Sequence, residues 1–372
     1  MSAAVLGVGT SAFGVQPLSA ANLVEQAVLE AFADAEVDSV DAVYVGTVFG
    51  APGVAQRSLH RLGVTDVPVV TIENACASGT TAVHEACVAV ELGRYERVLA
   101  LGVETMSSAF DGAIHPEQSD PEGRQGLALP GLYAMAASRY LGLGWVTPEQ
   151  LAQVAVKNRR HATGNPRAHF SGEYTVEQVL ASRMIADPLT LLQCCPVGDG
   201  AAAAVIGTDR GNGTDVPVRG HALRSGSLWD ERSENAWGFD LAAATAAQAY
   251  EQAGIGPEDV DLFEVHDAFT IGEVVTTEAL GLAQRGGGGE LVASGRTTLG
   301  GAQPVNPSGG LLSRGHPLGA TGVAQLAEVV WQLTGRADGR QVEDARVAVV
   351  ETLGGGVAGI DGNACGVLVL GG

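Results

Sequence analysis

A cysteine stands at position 76 inside Glu73-Asn74-Ala75-Cys76-Ala77-Ser78-Gly79. The run Val67 to Ile72 before it reads as a strand, and the residues from Gly79 to Leu92 read as a helix. A strand, a sharp turn and a helix in that order put the sulfur at the positive end of a helix dipole, which favours a thiolate. The unpaired amides of the first helical turn can also hold a developing oxyanion. His316, in Gly315-His316-Pro317-Leu318-Gly319, occupies a rigid loop before another helix. A histidine there can take a thiol proton and then donate a hydrogen bond to a substrate carbonyl oxygen. His266 ends the apolar run Val260 to Val265. Taken singly, each has an ordinary explanation: a buried small hydrophobe, a capping histidine, a core histidine satisfied by Asp267. Taken together, a cysteine and two loop histidines are the material of nucleophilic acyl transfer.

Other chemistry-bearing residues are weaker candidates. Cys87 follows Val83 by four residues on one helix face and reads as core. Cys194-Cys195-Pro196 is expected to be structural, because adjacent cysteines cannot easily share a tetrahedral zinc and no CxxC or HxxxH pairing accompanies them. No metal site is expected. Gly286 to Gly289 lacks the strand before it and the Lys-Ser/Thr after it that a phosphate cradle needs, and reads as a flexible loop. Arg159, Arg160 and His161 could bind phosphate, although a basic cluster on a helix is more usually a solvated face. Lys157 is the only lysine, which limits any mechanism that needs an amine nucleophile.

The elements that must position these residues occur twice. Asn22 to Ala35 reads as an amphipathic helix followed by the β-rich run Val40 to Val48. Leu241 to Ala253 reads as an alanine-rich helix followed, after Pro257, by the strand that ends at His266. In each half a glycine-containing loop, a helix and a strand then follow. The strands Arg97 to Val103 and Arg346 to Val350 even end alike, in Val103-Glu104-Thr105 and Val350-Glu351-Thr352. This is an α/β chain built from a duplicated unit, with its boundary near 208 to 218. Strands alternating with helices predict parallel pairing through right-handed crossovers, with the loops after the strands converging. Ser107 to Ile185 breaks the pattern with two helical segments, Leu132 to Leu141 and Pro148 to Thr163, and reads as an inserted cap.

Composition narrows the setting. The 372 residues leave ample room for a large core. With 42 acidic against 21 basic residues, the formal charge of -21 disfavours nucleic acid and anionic membranes as partners. Five cysteines, thinly spread, do not make a disulfide framework and point to a reducing cytoplasm. No apolar run reaches the length of a membrane span, and the first residues lack the pattern of a secretory leader.

Asn74-Ala75-Cys76-Ala77-Ser78-Gly79 resembles the nucleophile loop of the thiolase superfamily, and Asn306-Pro307-Ser308-Gly309-Gly310 running into Gly315-His316-Pro317 resembles its histidine loop. Lys157-Asn158-Arg159-Arg160-His161, Asp187-Pro188-Leu189-Thr190 with Gln193-Cys194-Cys195-Pro196, and His266-Asp267-Ala268-Phe269 resemble the sterol-carrier-protein-2 type. The resemblance implies a thiolase fold, a layered α/β/α/β/α sandwich of two halves. Residues 1–210 would carry Cys76 and a cap at about 107–185, and residues 211–372 the His266 and His316 loops. No lipid-transfer domain is expected after Gly372.

By the same resemblance, Cys76 accepts an acyl group from coenzyme A and His316 activates the thiol. His266 and His316 polarise one thioester carbonyl, and the amides of Cys76 and Gly354 form the second oxyanion hole. Lys157, Arg159, Arg160, Ser308 and Gly309 would contact coenzyme A, which is a substrate rather than a permanently bound cofactor. The family pattern also implies a homodimer. Two departures stand out. Thr352-Leu353-Gly354 occupies the place of a Cys-x-Gly loop, and Ala268 replaces the cysteine of a His-Asp-Cys-Phe motif. Cys365, thirteen residues beyond Thr352, is a poor substitute, so the second acid/base is missing. The leading expectation is an acyl-CoA C-acyltransferase. The alternatives are a retro-aldolase on acyl-CoA thioesters working with a small OB-fold/zinc-ribbon protein, and a non-catalytic acyl-CoA or lipid-binding subunit.

Overall fold

A computed structural model describes residues 2–110, 112–114, 119–229 and 233–372. The strands are β1 (Ala3–Thr10), β2 (Ala42–Gly46), β3 (Val69–Ile72), β4 (Arg97–Thr105), β5 (Met184–Ala186), β6 (Leu189–Thr190), β7 (Asp199–Thr208), β8 (Val216–Arg224), β9 (Leu262–Glu264), β10 (Val347–Gly354) and β11 (Ala364–Gly371). Nine of them run in the order β3-β2-β4-β7-β1-β8-β11-β10-β9, with β5 and β6 forming a separate pair. Only Ala4↔Pro217 and Val5↔Val216 join β1 to β8, so the nine strands behave as two sheets touching at one seam.

The expectation of parallel pairing holds in part. β2 is parallel to β3 and β4, and β10 to β9, where crossover helices connect the strands. The strands β7, β1, β8 and β11 pair antiparallel with their neighbours, so the sheets are mixed. The reason lies in the connections. β7 enters after the long insertion, and β10 and β11 are joined without an intervening helix, so neither needs a crossover.

Two central helices, Ser78–Glu91 and Thr321–Leu333, pack between the sheets and share one core with them through Ala82, Val83, Val323, Leu326, Val98 and Leu368. Ala20–Ala35 covers the outer face of the first sheet, with Leu23, Val24, Ala27, Val28 and Ala31 buried at helical spacing; Phe32 stays only partly buried. Phe239–Ala253 covers the second sheet in the same way. The result is the α/β/α/β/α sandwich. The two central helices begin almost in contact: a Cβ on Gly79 would lie 2.6 Å from the carbonyl oxygen of Gly319. No side chain fits there, and that approach brings the two loops before these helices together.

The insertion contributes the helices Leu129–Gly142 and Pro148–His161, the second started by a Thr147/Gln150 capping box with Pro148 in its first turn. Residues 111 and 115–118 of the insertion lie outside the described residues. Gly286 to Gly289 is not a free loop: the helix Gly288–Ala293 starts within it, and Glu278 accepts the Gly288 amide at 2.8 Å. No helix among the described residues is long and apolar enough to cross a membrane.

Candidate active site

Cys76 sits on a strained turn. Ala75 has φ 48°, a left-handed conformation that a residue with a Cβ adopts only under constraint. The constraint comes from Ser78, whose hydroxyl accepts the Asn74 amide at 2.8 Å and donates to the Ala75 carbonyl at 2.6 Å. The end of β10 presses on the same turn, since a Cβ on Gly354 would lie 2.3 Å from the Asn74 carbonyl oxygen. The expected thiolate is not the resting form. Burial pushes the Cys76 thiol up to about 12, against the lowering effect of its own amide and that of Gly355, while Glu104 and Glu73 raise it further. In the free protein desolvation outweighs the helix end, and ionisation needs a base.

His316 has the geometry to supply one. Its Nδ1 lies 2.8 Å from the Thr321 hydroxyl, which itself donates to the Pro317 carbonyl at 3.0 Å. A hydroxyl that donates its one hydrogen elsewhere must accept from Nδ1–H, so this network leaves Nε2 as the unprotonated nitrogen. Burial, with the charges of His266 and Arg314, holds His316 well below its ordinary value. His266 is lowered to about 3 by burial, and its backbone amide donates to Glu351 at 3.0 Å. Asp267 does not satisfy its ring. That carboxylate instead accepts from Asn158 at 2.7 Å and from the Leu311 amide at 2.6 Å, leaving His266 Nδ1 buried without a partner among the described residues. The two imidazoles meet edge to face at 5.0 Å between centroids. One ligand-type atom from each of Cys76, His266 and His316 lies within 4.8 Å of the others. Such a set suits acyl transfer, and its N/S donors would also attract a soft cation.

These three residues line a cavity of about 410 Å³ with mostly apolar walls, roofed by Phe110, Ile114, Leu129 and Tyr133 of the insertion. Several expected site residues are elsewhere. Gly354 ends β10 opposite Ala364, and it is the next residue, Gly355, that lines the cavity and whose amide favours the ionised Cys76 sulfur. Lys157 is buried, paired with Glu273 at 2.8 Å and donating to the Val305 carbonyl. Ser308 gives its hydroxyl to Glu264 at 2.8 Å, and Gly309, at φ 98°, packs on Ala162. With their polar groups or backbone engaged inside the chain, Lys157, Ser308 and Gly309 act as framework and do not face the cavity. Nor is the basic helix a solvated face: Arg159 is buried against the Phe170 ring, and His161 bridges the Asn306 carbonyl and the Leu299 amide. Arg160 alone of that cluster is exposed.

The two departures separate in space. Ala268 lines the cavity. Thr352 is fully buried, taking a hydrogen bond from Thr80 at 2.7 Å and giving one to Gln325 at 2.7 Å. Cys365 lies in β11 with its sulfur 3.6 Å from Glu351, and Cys87 is core. Cys194 and Cys195, read from sequence as structural, both line the cavity. Sequence reasoning also missed Thr321, which fixes the His316 tautomer, and Glu351, which holds His266. The repeated Val-Glu-Thr triplet was the available signal for Glu351.

A family model described as "Thiolase, N-terminal domain" matches residues 2–210, and one described as "Thiolase C-terminal domain-like" matches residues 227–360. The chain is 41% identical over 367 residues to an acetyl-CoA acetyltransferase of Methanothermobacter thermautotrophicus, covering 95% of this chain and 96% of that protein. It is 41% identical over 364 residues to the benzoylsuccinyl-CoA thiolase subunit BbsB of Thauera aromatica, covering 95% and 94%. Human sterol carrier protein 2 is 38% identical over 384 residues, covering 95% of this chain and 70% of that protein. Among solved structures, the "Ltp2-ChsH2(DUF35) aldolase" superposes with a TM-score of 0.84 at 26% identity, covering 100% of this chain and 97% of that one.

Proposed function

This chain belongs to the thiolase family of acyltransferases, and from that premise we propose that it is an acyl-CoA C-acyltransferase carrying its acyl group on Cys76. The observation that carries the reading is the meeting of Cys76, His266 and His316 within 4.8 Å on the wall of one apolar cavity. His316 Nε2 takes the thiol proton, and the thiolate attacks a carbonyl carbon whose oxygen is held by the Cys76 and Gly355 amides. His266 and His316, neutral at rest, polarise the carbonyl of the second thioester. Coenzyme A enters and leaves as substrate, with no cofactor held permanently. On this reading residues 1–210 form the nucleophile half, 107–185 its cap and 211–372 the histidine half, in a cytoplasmic homodimer. A simple binding subunit would not need this trio.

Intact-mass analysis with a panel of acyl-CoA thioesters tests the reading. The expected result is a gain of one acyl group that maps to Cys76 and is absent from Cys76→Ala. Acylation elsewhere, or none with any thioester, overturns it.

A retro-aldolase is the second reading. It draws on the likeness to the Ltp2-ChsH2(DUF35) aldolase and on Ala268, which leaves the cavity without the usual thiol at that position. Here a β-hydroxyacyl-CoA thioester would be cleaved in company with a small OB-fold/zinc-ribbon protein. Cleavage that leaves Cys76 unmodified, and that persists in Cys76→Ala, favours this reading over the first.

A further inference from the structure

Breaking a carbon–carbon bond next to a thioester leaves a carbanion that must gain a proton, making one needs a carbanion formed by loss of a proton, and neither Thr352 nor Ala268 can serve. Ala268 reaches the cavity but ends in a methyl group, and the Thr352 hydroxyl is committed to Thr80 and Gln325. Across the backbone from Ala268 runs another segment of cavity wall. The Cys195 amide donates to the Ala268 carbonyl at 2.8 Å, and Cys194 bridges to Phe269. Cys195 therefore stands beside the vacated position, in the same cavity as Cys76, His266 and His316.

The other cysteines are excluded by where their sulfurs go. Cys194 donates to the Thr190 carbonyl at 3.3 Å, Cys365 faces Glu351 from β11, and Cys87 is enclosed in the central core. The Cys195 thiol has no acceptor of that kind among the described residues. On the wall of the same cavity, His266 Nδ1 is likewise buried and without a partner among the described residues.

We propose that Cys195 is the second acid/base of the reaction, contributed by the neighbouring segment in place of the cysteine absent at position 268. The proposal rests on the reading that Cys76 carries the acyl group. In the cleavage direction the Cys76 thiolate attacks the 3-oxo carbon of a 3-oxoacyl-CoA, and the bond between carbons 2 and 3 breaks. Its electron pair goes to carbon 2, which takes the Cys195 thiol proton, so one acyl-CoA departs and Cys195 is left as a thiolate. The proton that His316 took from the Cys76 thiol passes through solvent to Cys195, and the thiol of incoming coenzyme A then gives its proton to His316 as its sulfur takes the acyl group, the departing Cys76 sulfur taking that proton back. Condensation is the same sequence reversed. Burial, together with the nearby Cys194, Cys76 and Asp267, holds the Cys195 thiol well above its ordinary value, so the resting residue keeps the proton it must deliver.

The test separates the two half-reactions. Acylation of Cys76 by acetyl-CoA is followed by intact mass, and exchange of the carbon-2 hydrogens of acetyl-CoA with D2O is followed by mass of the thioester. Both are measured on the full chain as wild type, Cys195→Ala, Cys195→Ser and Cys195→Ala/Ala268→Cys. Cys195→Ala and Cys195→Ser are expected to acylate Cys76 as wild type does while exchange falls about 10²-fold or more. Moving the thiol across the backbone, in the double variant, is expected to restore exchange. Serine preserves the size and a hydroxyl but does not titrate, so it keeps the comparison valid should the alanine variant fold poorly. Wild-type exchange in either single variant overturns the proposal, as does a wild-type protein that acylates but never exchanges. A wild-type protein that does not acylate Cys76 overturns instead the reading beneath it.

Discussion

Glu104 and Glu351 occupy the same place in the two halves, near the ends of β4 and β10 within the repeated Val-Glu-Thr, and both are buried. Glu104 accepts the Thr47 hydroxyl at 3.2 Å and the amides of Val48 and Phe49, just beyond β2. Glu351 accepts the His266 amide at 3.0 Å, just beyond β9. Each carboxylate is thus a post that fixes the first turn after the neighbouring strand. On the first post stands Val48, packed as an apolar wall against Cys76, Met106 and Leu318. On the second stands His266. The backbone device is duplicated and the chemistry is not: what distinguishes the halves is which side chain the post holds, an apolar packing residue in one and a cavity-lining imidazole in the other.

Exchanging what stands on the posts should give the largest effect. His266→Ala is expected to lower turnover by about 10²- to 10³-fold, the range typical of losing one donor to a developing oxyanion, while leaving the fold intact by circular dichroism. Val48→Ala, at the corresponding place, should change turnover by less than about threefold and cost about 1 kcal/mol in denaturant unfolding. Similar turnover losses in both would mean that the posts are chemically equivalent.

Removing the posts is the next step down. Glu104→Ala and Glu351→Ala each strip the acceptor from buried amides, which should cost about 1–3 kcal/mol of stability. Only Glu351→Ala should also impair turnover, because only it releases a side chain to which the proposed mechanism gives a role. The posts carry a pH signature as well. Burial raises both carboxyls to about 7, from an ordinary value near 4.5. Below about pH 4.5 folded and unfolded forms are both protonated, and this contribution is complete. As pH rises towards 7 the unfolded chain ionises first, so stability falls, by at most about 3 kcal/mol per group. Urea melts between pH 4.5 and 8 should show that decline, and Glu104→Gln and Glu351→Gln should each flatten it. A decline unchanged in both variants would remove the posts from the account.

Much of this arrangement was legible in the residues. The Cys76 turn, the His316 loop and the repeated triplet are local, and local order dictates strand, turn and helix. What was not legible depends on where side chains point once distant segments meet. Lys157 looks like a contact for coenzyme A until Glu273, 116 positions away, takes its charge in the interior. Cys195 looks structural until its strand-like segment pairs with Ala268. The Cys76 thiol looked ionised because a helix end acts locally, whereas the desolvation that opposes it comes from burial in the folded chain.

The smallest expected effect lies at the seam between the halves. Thr80, on the helix that follows Cys76, donates to the Thr352 hydroxyl. Thr352 donates in turn to Gln325 on the helix that follows His316, and Gln325 Nε2 reaches the Glu351 carbonyl at 3.1 Å. This relay ties both central helices to β10 without touching the cavity, so position 352 should act on stability and not on proton transfer. Thr352→Val keeps the shape and removes the hydroxyl, leaving the Thr80 donor and the Gln325 acceptor unpaired in the interior, at a cost of about 1–2 kcal/mol in urea unfolding. Carbon-2 hydrogen exchange should stay within about twofold of wild type. Thr352→Cys should behave like Thr352→Val, because its sulfur would face Thr80 and Gln325 rather than substrate. Ala268→Cys differs, since its sulfur enters the cavity. A Thr352→Cys protein that exchanges faster than wild type would show that this side chain can turn towards Cys76, and that the seam is part of the active site after all.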